Sequence, residues 1–181
     1  LEKLSLEATD GKLHFNHNVQ SVRTLTVLNK SNYTLQTLDG ILCHNGEIES
    51  KAYKPDALKD FSDLFRRVDD GAEAIKRLVP QTIEGCVVRV SDMIAYIGKD
   101  RQDARTINVG VGDYENDYSN AELINNLSVD IINNSYGKGM LSMSDGAWQI
   151  LTKVKKENYE KIYMTDEVRE VYGEIEPMFE K

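Results

Sequence analysis

Apolar residues along most of this chain recur at steps of three and four, the spacing that aligns one side of an α-helix. The clearest run lies between about Thr82 and Arg105, where Ile83, Val87, Val90, Ile94 and Ile97 form a narrow seam with alternating steps of four and three. So regular a seam requires burial against other elements. Earlier in the chain, Val19, Val22, Leu25 and Leu28 share one side of a helix predicted from Phe15 to about Asn29, closed by Asn29-Lys30-Ser31-Asn32. Thr34 supplies an N-cap hydroxyl for a second helix through Leu35, Leu38, Ile41 and Leu42, ending near His44-Asn45-Gly46.

The second half continues in the same way. A Gly-, Asp- and Asn-rich stretch from Val109 to Asn116 interrupts the periodicity, and Ser119 with Glu122 has the spacing of a capping box opening a helix towards Asn134. Gly137 and Gly139 follow as stops. Two more helices are predicted, from about Ser144 to Asn158 and from Thr165 to the end, with Trp148, Ile150, Leu151, Val154, Val168, Val171 and Ile175 as core candidates. The segment from Glu47 to about Phe61, containing Lys54-Pro55, has little period and reads as a loop able to cover a site. With three prolines and no internal repeat, the 181 residues read as all-α and as a single helical domain.

Composition narrows the function classes. At 40% hydrophobic and 29% charged residues, the chain has enough apolar side chains to fold as a soluble globular protein. A formal charge of -8 disfavours general nucleic-acid binding, while a small phosphate ester remains compatible if the site supplies its own cation. Cys43 and Cys86 form no CxxC pair, which fits a reducing cytoplasm. No apolar run approaches the roughly 20 residues of a membrane span, so no membrane partner is expected. The runs Lys153-Lys155-Lys156 and Glu174-Glu176 read as solvated helix faces. The opening stretch, Leu1 to Glu7, is charged and helical without a preceding cap, and reads as a cut.

Candidate chemistry concentrates on the long helix. Asp92, Tyr96 and Asp100 are four residues apart, each step advancing about 40° around the axis, so all three project from one side, roughly opposite the seam. On spacing alone the favoured reading is a wet face, shared with Arg89, Lys99 and Asp103. Val88, Met93 and Ala95 also point away from the seam, however, which allows packing on both flanks. A carboxylate there needs a partner, either Arg89 one turn earlier or a metal ion.

The run from Glu84 to Asp100, with Arg89-Val90-Ser91-Asp92-Met93-Ile94-Ala95-Tyr96-Ile97-Gly98-Lys99-Asp100 at its centre, resembles the last motif of the HD-domain metal-dependent phosphohydrolases. The nearest branch is the deoxyguanosine triphosphate triphosphohydrolase-like family. Three further runs resemble that family in the same order: Phe15 to Arg23, Thr37 to Glu47, and Asn125 to Ser135. The resemblance implies the C-terminal portion of an HD-domain-like helical bundle, with residues 1–108 in the HD core and 109–181 in a helical extension. It also implies that Asp92 is the final metal ligand and that Tyr96 and Asp100 contact the bound nucleotide.

Within the same resemblance, His17 matches a catalytic His at the phosphate site, where an imidazole can position water or protonate a leaving oxygen. The alternative is a helix-start His with only local hydrogen bonds, as His14 would be. His44 reads as a helix-end His interacting with the dipole. Gln20 and Lys54 are further conceivable substrate contacts.

One departure stands out. The family's first His and its His-Asp pair precede the position matching Leu1, and this chain contains no His-Asp dipeptide. The expectation is a fragment that is inactive alone, with a divalent ion such as Mg²⁺ or Mn²⁺ held only by the full-length protein. That protein is expected to hydrolyse deoxynucleoside triphosphates to deoxynucleosides and triphosphate, with a deoxynucleotide as its partner, a cytoplasmic location and a homo-oligomeric state compatible with the sequence. Other HD chemistries, on nucleoside monophosphates or cyclic dinucleotides, are the alternative within enzymes. A non-catalytic helical module for oligomerisation or sensing is the alternative outside them.

Overall fold

Helix starts in this protein are set by side chains that satisfy otherwise orphaned backbone N–H groups. In the computed structural model, which describes residues 5–7, 9–10, 15–45, 50–56, 60–69, 77–110 and 118–179, the architecture is all-α apart from one pair of two-residue strands. The expectations for Leu1 to Glu7, for His14 and for the stretch from Val109 to Asn116 fall wholly or largely outside these residues. The chain divides into two compact units: Leu1–Asp92 with Lys138–Leu141, and Met93–Gly137 with Ser142–Lys181.

In the first unit, Asn16 caps α1 (His17–Arg23), its Oδ1 accepting from the N–H groups of Asn18 and Val19 at 3.0 and 3.3 Å. The helix continues as a π-helical turn, Thr24–Leu28, and the Asn29 N–H closes it on the Thr24 carbonyl at 2.9 Å. Thr34 caps α2 (Leu35–Cys43) as its sequence position predicts, accepting from the Thr37 N–H at 3.3 Å. The core joins Val22, Leu38, Leu42 and Cys43 to Leu64 of α3 (Phe61–Asp69) and to Leu78, with Val19, Leu25, Leu35 and Ile41 packed around them. The expected loop after α2 contains a short strand, β1 (Ala52–Tyr53), paired with β2 (Leu141–Ser142), which Leu141 of the same unit begins. Two residues are too few to reveal a strand's alternation.

The long helix α4 (Ile83–Thr106) starts where Thr82 Oγ1 accepts from the Gly85 N–H at 3.0 Å. Its seam differs from expectation at the start: Val90, Ile94 and Ile97 are buried, but Ile83 is only half-buried and Val87 is 44% exposed. The buried line instead runs Cys86, Val90, Ile94, Ile97, Arg101, Ala104, which averages 3.6 residues per step. The predicted seam averages 3.5, and such a repeat drifts about 20° per heptad on a straight helix, so its early members rotate out of the interface.

In the second unit, which takes α4 from Met93 onward, Ser119 and Glu122 form the predicted capping box at the start of α5 (Asn120–Ser135). Leu123, Leu127 and Ile131 supply its buried side. Ser144 caps α6 (Asp145–Asn158), which passes into a second π-helical turn, Tyr159–Tyr163, before α7 (Asp166–Phe179). Leu151, Val154 and Ile162 are buried, whereas Val171 and Ile175 are exposed and are not core residues of this unit. The amphipathic period of α7 orders its apolar side chains on one side without burying them among the described residues.

Candidate functional site

His17, the first residue of α1, lies beside the end of α2. Its Nε2 is 3.3 Å from Asn45 Nδ2, and its ring meets the His44 ring edge-on, with centroids 5.4 Å apart and planes at 75°. His44 Nδ1 is 2.7 Å from the Ile41 carbonyl, which can only accept, so Nδ1 carries a proton and donates. His44 follows the last residue of α2, at the helix end where its sequence position put it.

Beside these rings is a cavity of about 650 Å³ between α2 and the start of α4, whose walls include Gln36, Ile41, His44, Glu84, Val88 and Asp92. Val88 is one of the residues that made the side of α4 opposite its seam partly apolar, and in the structure it is a cavity wall. Gln20 and Lys54 are not among the lining residues.

Asp92 is half-buried, and among the described residues it has no hydrogen bond or ion pair. Arg89, the partner offered by the sequence, is buried elsewhere: it donates to the Leu78 carbonyl, and its guanidinium lies 5.5 Å from the centre of the Tyr53 ring. The field of Asp92 does reach His17. Partial burial and the neighbouring His44 lower the His17 pKa below its ordinary value, while Asp92 pulls it back up. Burial dominates, and the ring is held towards its neutral form.

The second unit contains the other two candidates. Tyr96 is 60% exposed. Asp100 is half-buried and accepts a hydrogen bond from the Tyr163 hydroxyl. Directly behind it, Arg101 is buried and donates through Nε to Asn158 Oδ1 at 2.7 Å and through Nη2 to Glu157 Oε2 at 2.5 Å and the Val154 carbonyl at 3.3 Å. Asn158 in turn donates to the Ile97 carbonyl at 2.7 Å. Sequence reasoning missed this network, although the signal was available: Arg101 stands where the seam continues from Ile97, and a buried arginine demands partners. It also missed two polar residues buried in the first unit. Asp39 accepts the Gln81 N–H at 2.7 Å, and Asn18 donates to the Leu42 carbonyl at 2.7 Å.

A divalent ion needs several oxygen or nitrogen ligands. Among the described residues no three His, Cys, Asp or Glu side chains are grouped to hold one, so the residues present do not by themselves fit a complete metal centre. No helix among them is long and apolar enough to cross a membrane.

Comparison with known proteins places these features in context. No family model matches the chain. A Clostridium perfringens protein named deoxyguanosinetriphosphate triphosphohydrolase-like is 28% identical over 185 residues, covering 92% of this chain and 46% of the relative. A relative of the same name from Caldanaerobacter subterraneus is 28% identical over 166 residues, 83% of this chain and 39% of its own length. The chain resembles the triphosphohydrolase-like proteins. A third, from Clostridium tetani, is 34% identical over 94 residues, half of this chain and 20% of the relative. The two long alignments exceed either unit, so the likeness to the triphosphohydrolase-like proteins extends into both. The chain spans less than half the length of each of these relatives. No solved structure matches it.

Proposed function

We propose that this chain is part of a metal-dependent phosphohydrolase of the HD type that releases triphosphate from deoxynucleoside triphosphates. The observation that carries the reading is the placement, beside a cavity, of a carboxylate with no hydrogen-bond partner among the described residues and an imidazole within its electrostatic reach. The names of the relatives supply the substrate class. In this reading Asp92 is one ligand of a divalent ion, Mg²⁺ or Mn²⁺, which when bound stabilises charge on phosphoryl oxygens. His17, held towards neutrality, orients a water or takes up a proton at a ring nitrogen. Tyr96 and Asp100 contact the nucleotide in the same reading.

The test is direct. The natural protein carrying this chain is incubated with each deoxynucleoside triphosphate and either metal, and the products are separated. Triphosphate with a free deoxynucleoside supports the reading, and orthophosphate or pyrophosphate would replace it with another phosphohydrolase chemistry. Asp92→Ala is expected to abolish turnover, and His17→Ala to reduce it by about 10²- to 10⁴-fold, the usual share of a positioned acid or base. An Asp92→Ala protein with wild-type turnover removes Asp92 from the centre.

A further inference from the structure

Asp100 is held by a contact that depends on an irregular turn. The last α-helical residue of α6, Asn158, is buried against α4 through its bonds to the Ile97 carbonyl and to Arg101. In a continued α-helix, Tyr163 would stand about 140° around the axis from Asn158, at about 100° per residue. The segment Tyr159–Tyr163 is instead π-helical, and the Met164 N–H returns to the Tyr159 carbonyl, five residues back, at 3.1 Å. The wider turn reduces the offset and swings the Tyr163 ring towards the side of Asn158, where its hydroxyl reaches Asp100. Gly110, with φ of +60°, lies so close to the Lys161 carbonyl that a Cβ there would approach its oxygen to 1.9 Å, so the loop after α4 packs directly on this turn. Single π-helical turns concentrate at functional sites.

We propose that Tyr163 is a positioning residue that fixes the Asp100 carboxylate in one orientation, leaving its remaining lone pairs to accept a hydrogen bond from the bound deoxynucleotide. The inference rests on the reading of Asp100 as a nucleotide contact. A purely structural role is disfavoured by the surroundings. The junction of α4 with the end of α6 is already tied by the buried bonds of Arg101, Glu157, Asn158 and Ile97, whereas the Tyr163 to Asp100 bond is exposed to solvent. Partial burial and the adjacent carboxylate raise the Tyr163 pKa well above the ordinary phenol range, so the hydroxyl remains a donor at any working pH.

The experiment compares Tyr163→Phe, Asp100→Asn and the double variant in the natural protein, with dGTP and Mn²⁺ as the probe. Tyr163→Phe is expected to raise KM about tenfold, the loss of one charge-assisted hydrogen bond, while kcat changes less than about threefold. Asp100→Asn is expected to raise KM at least as much, and the double variant no more than Asp100→Asn alone. If Asp100→Asn raises KM and Tyr163→Phe does not, the positioning role is wrong and the nucleotide contact stands. If Asp100→Asn has the wild-type KM, the nucleotide contact and the positioning role fall together. A Tyr163→Phe protein that loses its circular-dichroism signature shows a structural role and overturns the proposal.

Discussion

Replacing Arg101 by methionine is the sharpest test of how the second unit is held together. The guanidinium is buried, and methionine keeps most of its stem while deleting three donations: to Asn158 Oδ1, to the Val154 carbonyl and to Glu157 Oε2. The Glu157 side chain is only 11% exposed, so its carboxylate is left charged, largely desolvated and without this counterion. Removing one member of a buried pair costs about 3 to 5 kcal/mol, most of it the uncompensated partner. Trp148, the only tryptophan in these 181 residues, lies on α6, so its fluorescence in a urea titration of this chain reports the second unit specifically. Arg101→Met is expected to lower the unfolding free energy by about 3 to 5 kcal/mol. Adding Glu157→Gln, which removes the stranded charge, is expected to restore more than half of that loss. A double variant as unstable as Arg101→Met would falsify the assignment of the cost to the buried carboxylate, and a single variant within about 1 kcal/mol of wild type would show that the pair contributes little.

Two other expectations follow from local geometry. His17 should titrate below the usual imidazole value of about 6.5 in an NMR pH series; removing the Asp92 charge with Asp92→Asn should lower it further, and His44→Ala should raise it. Because the unfolded chain binds that proton more readily than the folded one, stability should rise with pH between the depressed folded value and about 6.5, and a flat profile after His17→Gln identifies the group. Gly98→Ala would place a Cβ 2.5 Å from Asn120 Oδ1 and 3.0 Å from the Asn120 Cα, so α5 must shift; a loss of about 1 to 3 kcal/mol in thermal unfolding is expected, and no loss would mean that this approach is readily relaxed.

What the sequence revealed was local. Thr34, Ser119 and Ser144 mark helix starts because a cap needs only its own side chain and the next three residues. The seam of α4 was read almost correctly, and the error at Val87 is the difference between a 3.5- and a 3.6-residue period. What stayed hidden was non-local. The partners of Arg101 are 53 to 57 residues away and the N–H that satisfies Asp39 is 42 away, so neither buried polar group could be matched in advance. The candidate site shows the same division. Spacing placed Asp92, Tyr96 and Asp100 on one side of a helix, but it could not show that Asp92 is half-buried beside a cavity, that Tyr96 is largely exposed, or that Asp100 is already bonded to Tyr163. Nor could it bring His17 to His44 and Asn45.

The two π-helical turns carry a genetic consequence. Each holds one residue more than an α-helical turn would, so each is in effect a one-codon insertion accommodated in the backbone. Deleting a single residue between Tyr159 and Tyr163 lets α6 run on as an ordinary helix, with the buried stripe of Leu151 and Val154 upstream intact and the phenol, now four residues after Asn158, about 40° around the axis from it and still on the side of Asp100. A change of three nucleotides can therefore erase the irregular turn without altering any of the residues in the core before it, and without carrying the phenol away from Asp100.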